Sequence, residues 1–178
     1  MAGAGEVCFM KTHKRRKGDG HPAIYLVRDG RDAVVSHARL RAAGDGRATF
    51  EQALREEITR PFIDGQPSSG SWGGNVLSWL ETGGVPTALL RYEELIVRPH
   101  EAVERAVSSL VPGLAALPDA RIPTFEELRR IDPAFFRRGT CGSFRDEMPE
   151  ALHELFWAQP ENAAAMRCLG YDQGRPGI

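Results

Sequence analysis

The sequence predicts an α/β domain with a parallel sheet, and three observations support this prediction. Short apolar runs alternate with stretches of helical periodicity, and Gly and Pro separate them. The run AIYLVRD at residues 23–29 is apolar and β-rich, as expected of a strand buried on both faces of a parallel sheet. From Gly30 the apolar spacing becomes that of a helix, which completes a strand, turn and helix unit.

The composition is that of one globular domain, and we expect residues 1–178 to form it. A formal net charge of -1 gives no support for nonspecific binding to nucleic acid or to an anionic membrane. The three cysteines are widely spaced without a CxxC pair, which predicts neither a disulfide framework nor a zinc site. The N-terminus lacks the charge order of a secretory signal. We expect a cytoplasmic protein without a membrane anchor.

Two further strands are predicted at residues 7–13, with the sequence VCFMKTH, and at residues 87–91. Residues 112–122 are predicted to be irregular, and residues 134–145 to form a loop rich in cations. Apolar spacing and end signals predict helices at residues 30–41, 49–60, 75–81, 124–131, 149–158 and 160–169, and another that begins at Pro99.

Polar residues follow the carboxyl ends of the predicted strands, where ligands of open α/β sheets bind. Arg28 ends one strand, and Ser36 follows eight residues later on the next helix. A guanidinium, a hydroxyl and a helix start facing one anion would suit a phosphate. From these residues alone an alternative is favoured, in which Arg28 pairs with Asp32 and Ser36 bonds its own helix backbone.

Five motifs follow one another along the chain: KTH, IYLVRDGRDAVVSH, GSWGGNVLSW, LLRYEEL and FFRRGTCGSFRDEM. In this order they resemble the sulfotransferase family. Members transfer a sulfuryl group from 3'-phosphoadenosine 5'-phosphosulfate to an acceptor hydroxyl or amine and release 3'-phosphoadenosine 5'-phosphate. The resemblance implies a three-layer, parallel-sheet, P-loop-like fold that is shortened at its N-terminus. It also implies transfer without a metal ion to a small-molecule acceptor.

The resemblance implies a catalytic pair in the KTH segment. His13 falls on the family's general base, and Lys11 falls on the lysine that accompanies it. A neutral imidazole can take the acceptor's proton, and an ammonium can offset charge on the transferring sulfonate. Without the other motifs, the simpler interpretation of His13 is an exposed histidine at a strand end.

The same resemblance implies a cofactor site that begins within residues 7–29. Arg28 and Ser36 match the pair that grips the 3'-phosphate. Tyr92 matches a tyrosine that contacts adenine, and Phe125 matches an aromatic that stacks on adenine.

The cofactor site is completed by a closing loop at residues 134–147. Within it, Arg137, Arg138 and Gly139 match the family's Arg-Lys-Gly sequence, which closes over the 3'-phosphate with cations and a backbone amide. Arg138 replaces the usual lysine, so the positive charge is kept while the geometry changes.

One part of the family's site has no counterpart in the sequence. Family members cradle the 5'-phosphosulfate in a Gly-containing loop upstream of KTH that also supplies a catalytic lysine. Only ten residues precede Lys11, and MAGAGEV contains neither a P-loop match nor a lysine. Those groups would stabilise transfer by several kcal/mol, as an order of magnitude. The chain is therefore expected to be a fragment or mis-started sequence, a noncatalytic relative, or a protein completed by a partner.

Two functional classes fit these observations. One is a sulfotransferase, and the alternative is a noncatalytic module that binds 3'-phosphoadenosine nucleotides and lacks the sulfuryl half of the site. A nucleoside-phosphate kinase would need a Walker loop and magnesium ligands, which the sequence does not display. The tryptophans of SWGGNVLSW could line an acceptor site, although packing of a helix against the sheet is favoured.

Overall fold

The computed structural model describes residues 7–16, 18, 20–44, 48–60, 70–81, 84–114 and 121–172. Several sequence predictions lie partly or wholly outside these ranges. They are the start MAGAGE, the first part of GQPSSGSWGG, which is expected to form a loop, the helix end expected at Gly83, and most of the irregular segment 112–122. Within the described ranges, no helix combines the length and apolar character needed to cross a membrane.

The described strands form a parallel pair. Strand β1 spans Ala23–Val27 and strand β2 spans Thr87–Arg91. Ala23 lies opposite Thr87, and Val27 lies opposite Arg91. Parallel strands need a long crossover, and here helices fill it. The α/β prediction is confirmed.

Nine helices accompany these strands in the described part of the chain. The predicted helices are confirmed, with ends that shift by a few residues. Two short helices, at Tyr92–Leu95 and Phe144–Glu147, were not predicted, and the second takes up the end of the segment predicted as a loop at residues 134–145. The helices are α1 (Gly30–Gly44), α2 (Phe50–Thr59), α3 (Trp72–Leu80), α4 (Tyr92–Leu95), α5 (Pro99–Leu110), α6 (Phe125–Ile131), α7 (Phe144–Glu147), α8 (Glu150–Ala158) and α9 (Pro160–Leu169).

Capping side chains fix where α2 and α6 begin. Thr49 accepts the N–H of Gln52, whose side chain accepts the N–H of Thr49 in return. Thr124 and Glu127 form the same reciprocal pair at the start of α6. Each pair satisfies two backbone donors that a helix start leaves unpaired. These local signals explain why both helices could be predicted from sequence.

The prediction of a strand at residues 7–13 is wrong. Every residue of this segment is exposed, and it joins no ladder with the described strands. Helix α3 holds it instead, because Nδ2 of Asn75 donates to the His13 carbonyl at 3.2 Å and Nε1 of Trp79 donates to the Lys14 carbonyl at 3.0 Å. Two side-chain bonds tether the segment, whereas a strand needs a row of backbone bonds to a partner.

Strand β1 is not buried on both faces, which corrects a second expectation. Val27 is 3% exposed, whereas its neighbour Leu26 is 52% exposed. Successive side chains of a strand point to opposite faces, so the face of β1 that carries Leu26 is only partly covered by the described residues.

Two apolar clusters form the core, and Trp72 packs against both of them. The larger cluster lies mainly between α1, α2, α8 and α9 and contains the fully buried Leu54 and Phe156. The smaller cluster joins Val27 of β1 to Val76 of α3 and to α9. The Trp72 and Phe156 rings lie 6.0 Å apart. Trp72 therefore links the sheet to the helical layer.

Candidate functional site

The carboxyl ends of β1 and β2 bring Arg28 next to Tyr92. Val27 and Arg91 are the last residues of the two strands and lie opposite each other. Arg28 and Tyr92, which follow them, therefore lie at the same edge of the sheet. The Arg28 guanidinium lies 4.5 Å from the centre of the Tyr92 ring, which is a cation–π contact. Burial raises the pKa of Tyr92, although the charge of Arg28 acts in the opposite direction. Tyr92 is therefore a neutral phenol at physiological pH.

Arg28 also contacts the closing loop and a carboxylate. Its Nη2 donates to the carbonyl of Thr140 at 2.9 Å and lies 3.5 Å from Oδ2 of Asp32. The pairing with Asp32 that the sequence left open is therefore present. The Nε atom of Arg28 is buried and has no hydrogen-bond partner among the described residues. A buried donor without an acceptor is costly, and an anionic acceptor would relieve that cost.

Asp32 fastens the closing loop to the first turn of α1. Its side chain is 1% exposed, and its two oxygens accept the N–H of Gly142 at 2.6 Å and the N–H of Phe144 at 3.0 Å. A carboxylate in the first turn of a helix also interacts favourably with the helix dipole. Sequence reasoning missed the contact to the loop, because no local signal joins residues 112 positions apart.

The two arginines of the closing loop converge on Glu147. Nη2 of Arg137 and Nη1 of Arg138 donate to its Oε1 at 2.6 and 2.9 Å, and Nε of Arg39 on α1 donates to its Oε2 at 2.8 Å. Burial alone would raise the pKa of Glu147, but the hydrogen bonds from these arginines outweigh it and lower that pKa. Glu147 is therefore an ionised carboxylate at neutral pH. The sequence did not identify Glu147 or Arg39 as candidate site residues.

Phe125 lies against Gly139, so two predicted site residues meet across the closing loop. Gly139 has a φ of 62°, and a Cβ atom there would lie within 2.4 Å of the Phe125 ring. Both the left-handed backbone and the close approach require glycine. Phe136 packs edge-on against Phe125, with ring centroids 6.5 Å apart. The start of α6 and the closing loop therefore form one aromatic surface.

Three predicted residues stand apart from these contacts. Ser36 is exposed on α1, and Lys11 and His13 are exposed in the N-terminal segment. Within the described ranges, no hydrogen bond or ion pair joins them to the other predicted site residues. Their predicted roles stay predictions.

The KTH segment lies beside an aromatic pair. Tyr25 and Trp79 stack with centroids 5.4 Å apart, and the Tyr25 hydroxyl donates to Oδ1 of Asn75 at 2.9 Å. Asn75 in turn donates to the carbonyl of His13. Burial raises the pKa of Tyr25, so the phenol remains a donor. Trp79 therefore packs on the sheet and tethers the KTH segment, in agreement with the favoured interpretation of SWGGNVLSW.

Comparison with known proteins identifies the family. Residues 22–110 match the family described as the sulfotransferase domain, and the match covers half of the chain. The chain belongs to the sulfotransferase family. The matched region contains both described strands and the predicted site residues Arg28, Ser36 and Tyr92.

Several curated sulfotransferases are similar in sequence. Sulfotransferase 1E1 of Rattus norvegicus is 27% identical over 160 residues, which is 75% of this chain and 51% of that protein. Sulfotransferase 1E1 of Homo sapiens is 28% identical over 160 residues, with the same coverage. Sulfotransferase 2B1 of Homo sapiens is 26% identical over 156 residues, which is 75% of this chain and 41% of that protein. The chain spans about half the length of the curated relatives it matches.

A solved sulfotransferase shares the fold. The crystal structure of mouse sulfotransferase SULT7A1 complexed with PAP matches with a TM-score of 0.63 and 22% sequence identity, over 83% of this chain and 61% of that chain. The likeness confirms the predicted α/β sulfotransferase fold.

The described residues contain no group of three or more His, Cys, Asp or Glu side chains placed to hold a metal ion.

Proposed function

We propose that this sulfotransferase domain binds 3'-phosphoadenosine nucleotides through their 3'-phosphate, and that it takes part in sulfuryl transfer from 3'-phosphoadenosine 5'-phosphosulfate. The observation that carries the proposal is Arg28 at the end of β1, with a buried Nε donor that has no acceptor among the described residues. That guanidinium lies between Tyr92 and the closing loop. The family and the PAP complex of the mouse relative support the same ligand.

The residues around Arg28 fit a doubly charged phosphate next to a purine. Arg28, Arg137 and Arg138 would supply charge and paired N–H donors, which suit phosphate oxygens. Ser36 would add a hydroxyl, and Gly139 a backbone N–H. The rings of Tyr92 and Phe125 would contact the adenine. A nucleotide without the 3'-phosphate would lose the cationic contacts and keep only the aromatic ones.

The bound donor would supply an activated sulfuryl group, and the chain would supply the proton acceptor. We assign His13 as the base that removes a proton from the acceptor's hydroxyl or amine, and Lys11 as the cation that offsets charge on the sulfonate. The exposed position of His13 is compatible with a small-molecule acceptor that arrives from solvent. A cytoplasmic location is part of the same proposal.

Calorimetric titration of the 178-residue chain with adenosine 3',5'-bisphosphate, and separately with 5'-AMP, tests the binding proposal. We expect tighter binding of the bisphosphate, and Arg28→Ala should weaken it by roughly ten- to a hundredfold, since an Arg–phosphate contact is a charge-assisted bond. Arg167→Ala removes an exposed arginine on α9 and should leave binding unchanged. Equal affinity of the folded chain for the two nucleotides would contradict the proposal.

A second candidate function is noncatalytic nucleotide binding. It is favoured by the exposed N-terminal segment, because Lys11 and His13 make no hydrogen bond or ion pair with Arg28 in the described part of the chain. A sulfuryl-transfer assay with a panel of phenols, alcohols and amines separates the two candidates. Turnover that His13→Ala abolishes supports the enzyme, whereas selective nucleotide binding without turnover supports the binding module.

A further inference from the structure

Three guanidinium groups from two separate parts of the chain share one carboxylate. Arg137 and Arg138 belong to the closing loop, Arg39 belongs to α1, and all three donate to Glu147. We call these four residues the Glu147 cluster. The Glu147 side chain is 8% exposed, whereas each arginine side chain is 38% or 39% exposed. The carboxylate is therefore covered by the arginines, which themselves remain open to solvent.

The Glu147 cluster holds the closing loop next to a particular face of α1. Arg39 follows Ser36 by three residues, and residues three apart lie on the same face of a helix. Glu147 bonds Arg39 through one oxygen and both loop arginines through the other. Arg137 and Arg138 are thereby brought towards the face of α1 that carries Ser36.

Electrostatics make Glu147 necessary for this arrangement. Three positive charges that converge within a few Å repel one another, and a shielded carboxylate between them reverses the sign of the interaction. Because Glu147 is mostly covered, its contacts are screened less than those of an exposed pair. Asp146 provides a contrast, since it is 69% exposed and contacts only Arg138 of the cluster, at 3.2 Å.

We propose that Glu147 is a positioning residue for the 3'-phosphate site, which holds Arg137 and Arg138 against the Ser36 face of α1 by way of Arg39. The inference rests on the proposed nucleotide function and adds Glu147 and Arg39 to the residues that support it. It also predicts whether nucleotide affinity rises or falls when the charge of Glu147 is removed. A carboxylate repels a phosphate, so removal of its charge alone would tighten nucleotide binding. Loss of a positioning residue weakens binding instead.

The test compares Glu147→Gln with Asp146→Asn, since each replaces one carboxylate by an amide at adjacent positions. We expect the Kd of adenosine 3',5'-bisphosphate to rise by roughly tenfold in Glu147→Gln, as for a lost charge-assisted contact. The Kd of 5'-AMP should not change. Asp146→Asn should bind the bisphosphate as tightly as the unaltered chain, or slightly more tightly. A Glu147→Gln chain that behaves like Asp146→Asn would overturn the proposal.

Limited trypsin digestion of the full chain without nucleotide gives a second readout. Trypsin cleaves after arginine, and an arginine bound to Glu147 is a poor substrate. Glu147→Gln should speed cleavage after Arg137 and Arg138 several-fold, as measured by fragment masses, while cleavage after the exposed Arg121, which precedes Ile122, keeps its rate. Equal rates at the loop would overturn the proposal whatever the nucleotide result.

Nucleotide titration and trypsin digestion test the proposed function and the role of Glu147 separately. If the unaltered chain does not distinguish the bisphosphate from 5'-AMP, the proposed function fails, and digestion still decides the role of Glu147. If Glu147→Gln does not fold, Arg39→Gln provides the test, because it removes the α1 side of the Glu147 cluster. The same selective rise in Kd is expected there, and an unchanged Kd would overturn the proposal.

Discussion

Asp32 shows how much of the site depends on a single buried side chain. Its carboxylate accepts two backbone N–H groups from the closing loop and lies beside Arg28. Arg28 in turn bonds the carbonyl of Thr140 and lies over Tyr92. The end of β1, the start of α1 and the closing loop are therefore joined at one carboxylate.

We expect Asp32→Asn to lower the free energy of unfolding by roughly 1–3 kcal/mol, because an amide offers one accepting oxygen where two are needed. Urea denaturation followed by circular dichroism measures the change. Asp132→Asn is the matched control, since Asp132 also accepts a backbone N–H, from Phe135 at 2.9 Å, but is exposed. Its effect should stay within about 0.5 kcal/mol. Equal losses in the two variants would contradict the role of burial.

The residues predicted from motifs and those found only in the structure differ in kind. The placement of Arg28 and Tyr92 at the carboxyl edge of the sheet could be predicted, because each directly follows a strand that the sequence reveals. The contact of Asp32 with the N–H of Phe144 and that of Glu147 with Arg39 could not be predicted, because these partners lie 112 and 108 positions away and only folding brings them together.

At the scale of elements, a close helix contact joins α3 to α9 at Gly73. A Cβ atom at Gly73 would lie 2.4 Å from backbone atoms of residues 161 and 162. Backbone cannot rotate aside as a side chain can, so the helices would have to separate. The same region gives α3 its polar anchor, because Oδ1 of Asn162 accepts the N–H of Gly73 at 3.0 Å.

Gly73→Ala should therefore lower the free energy of unfolding by about 1–3 kcal/mol, as overpacking does. Thermal denaturation provides the measurement. Gly44→Ala is the control, because a Cβ atom at this end of α1 meets nothing within 4 Å. That substitution should be neutral or stabilising by up to about 1 kcal/mol. Destabilisation by both substitutions to the same degree would show that close packing is not the cause.

Helices could be predicted from sequence far better than the strand at residues 7–13. Proline at the start of α5 and the left-handed Gly170 after α9 are local end signals. A strand depends on its partner, and the β-rich composition of VCFMKTH does not specify one. In the described structure, Asn75 and Trp79 hold that segment instead.

At the scale of the whole molecule, two buried carboxylates make stability depend on pH. Glu57 contacts His37 and Arg41 of α1 together with Arg60. Burial would raise the pKa of Glu57, but the hydrogen bond and charge of His37, with the arginines, outweigh it and lower that pKa. Glu147 behaves in the same way. Each carboxylate stabilises the fold above its ordinary pKa of 4.5.

We expect the free energy of unfolding to fall as the pH drops below about 4.5, through the lowered pKa values of the folded state. Glu57→Gln should cost roughly 1–3 kcal/mol at neutral pH and should make the fall shallower. Urea denaturation at a series of pH values measures both effects. Glu51→Gln, at an exposed position of α2, should leave the curve unchanged. Parallel curves for Glu57→Gln and the unaltered chain would contradict the assignment.

The parallel pairing of β1 with β2 also determines when the site can form during folding. Two of the contacts that build the site join distant residues, because Arg28 and Tyr92 lie 64 positions apart and Asp32 and Phe144 lie 112 positions apart. Such nonlocal contacts must overcome the entropy of closing long loops, whereas helices such as α8 and α9 depend mainly on neighbouring residues. A refolding chain would thus regain helical signal before it regains nucleotide binding. Nucleotide binding then reports that folding is complete.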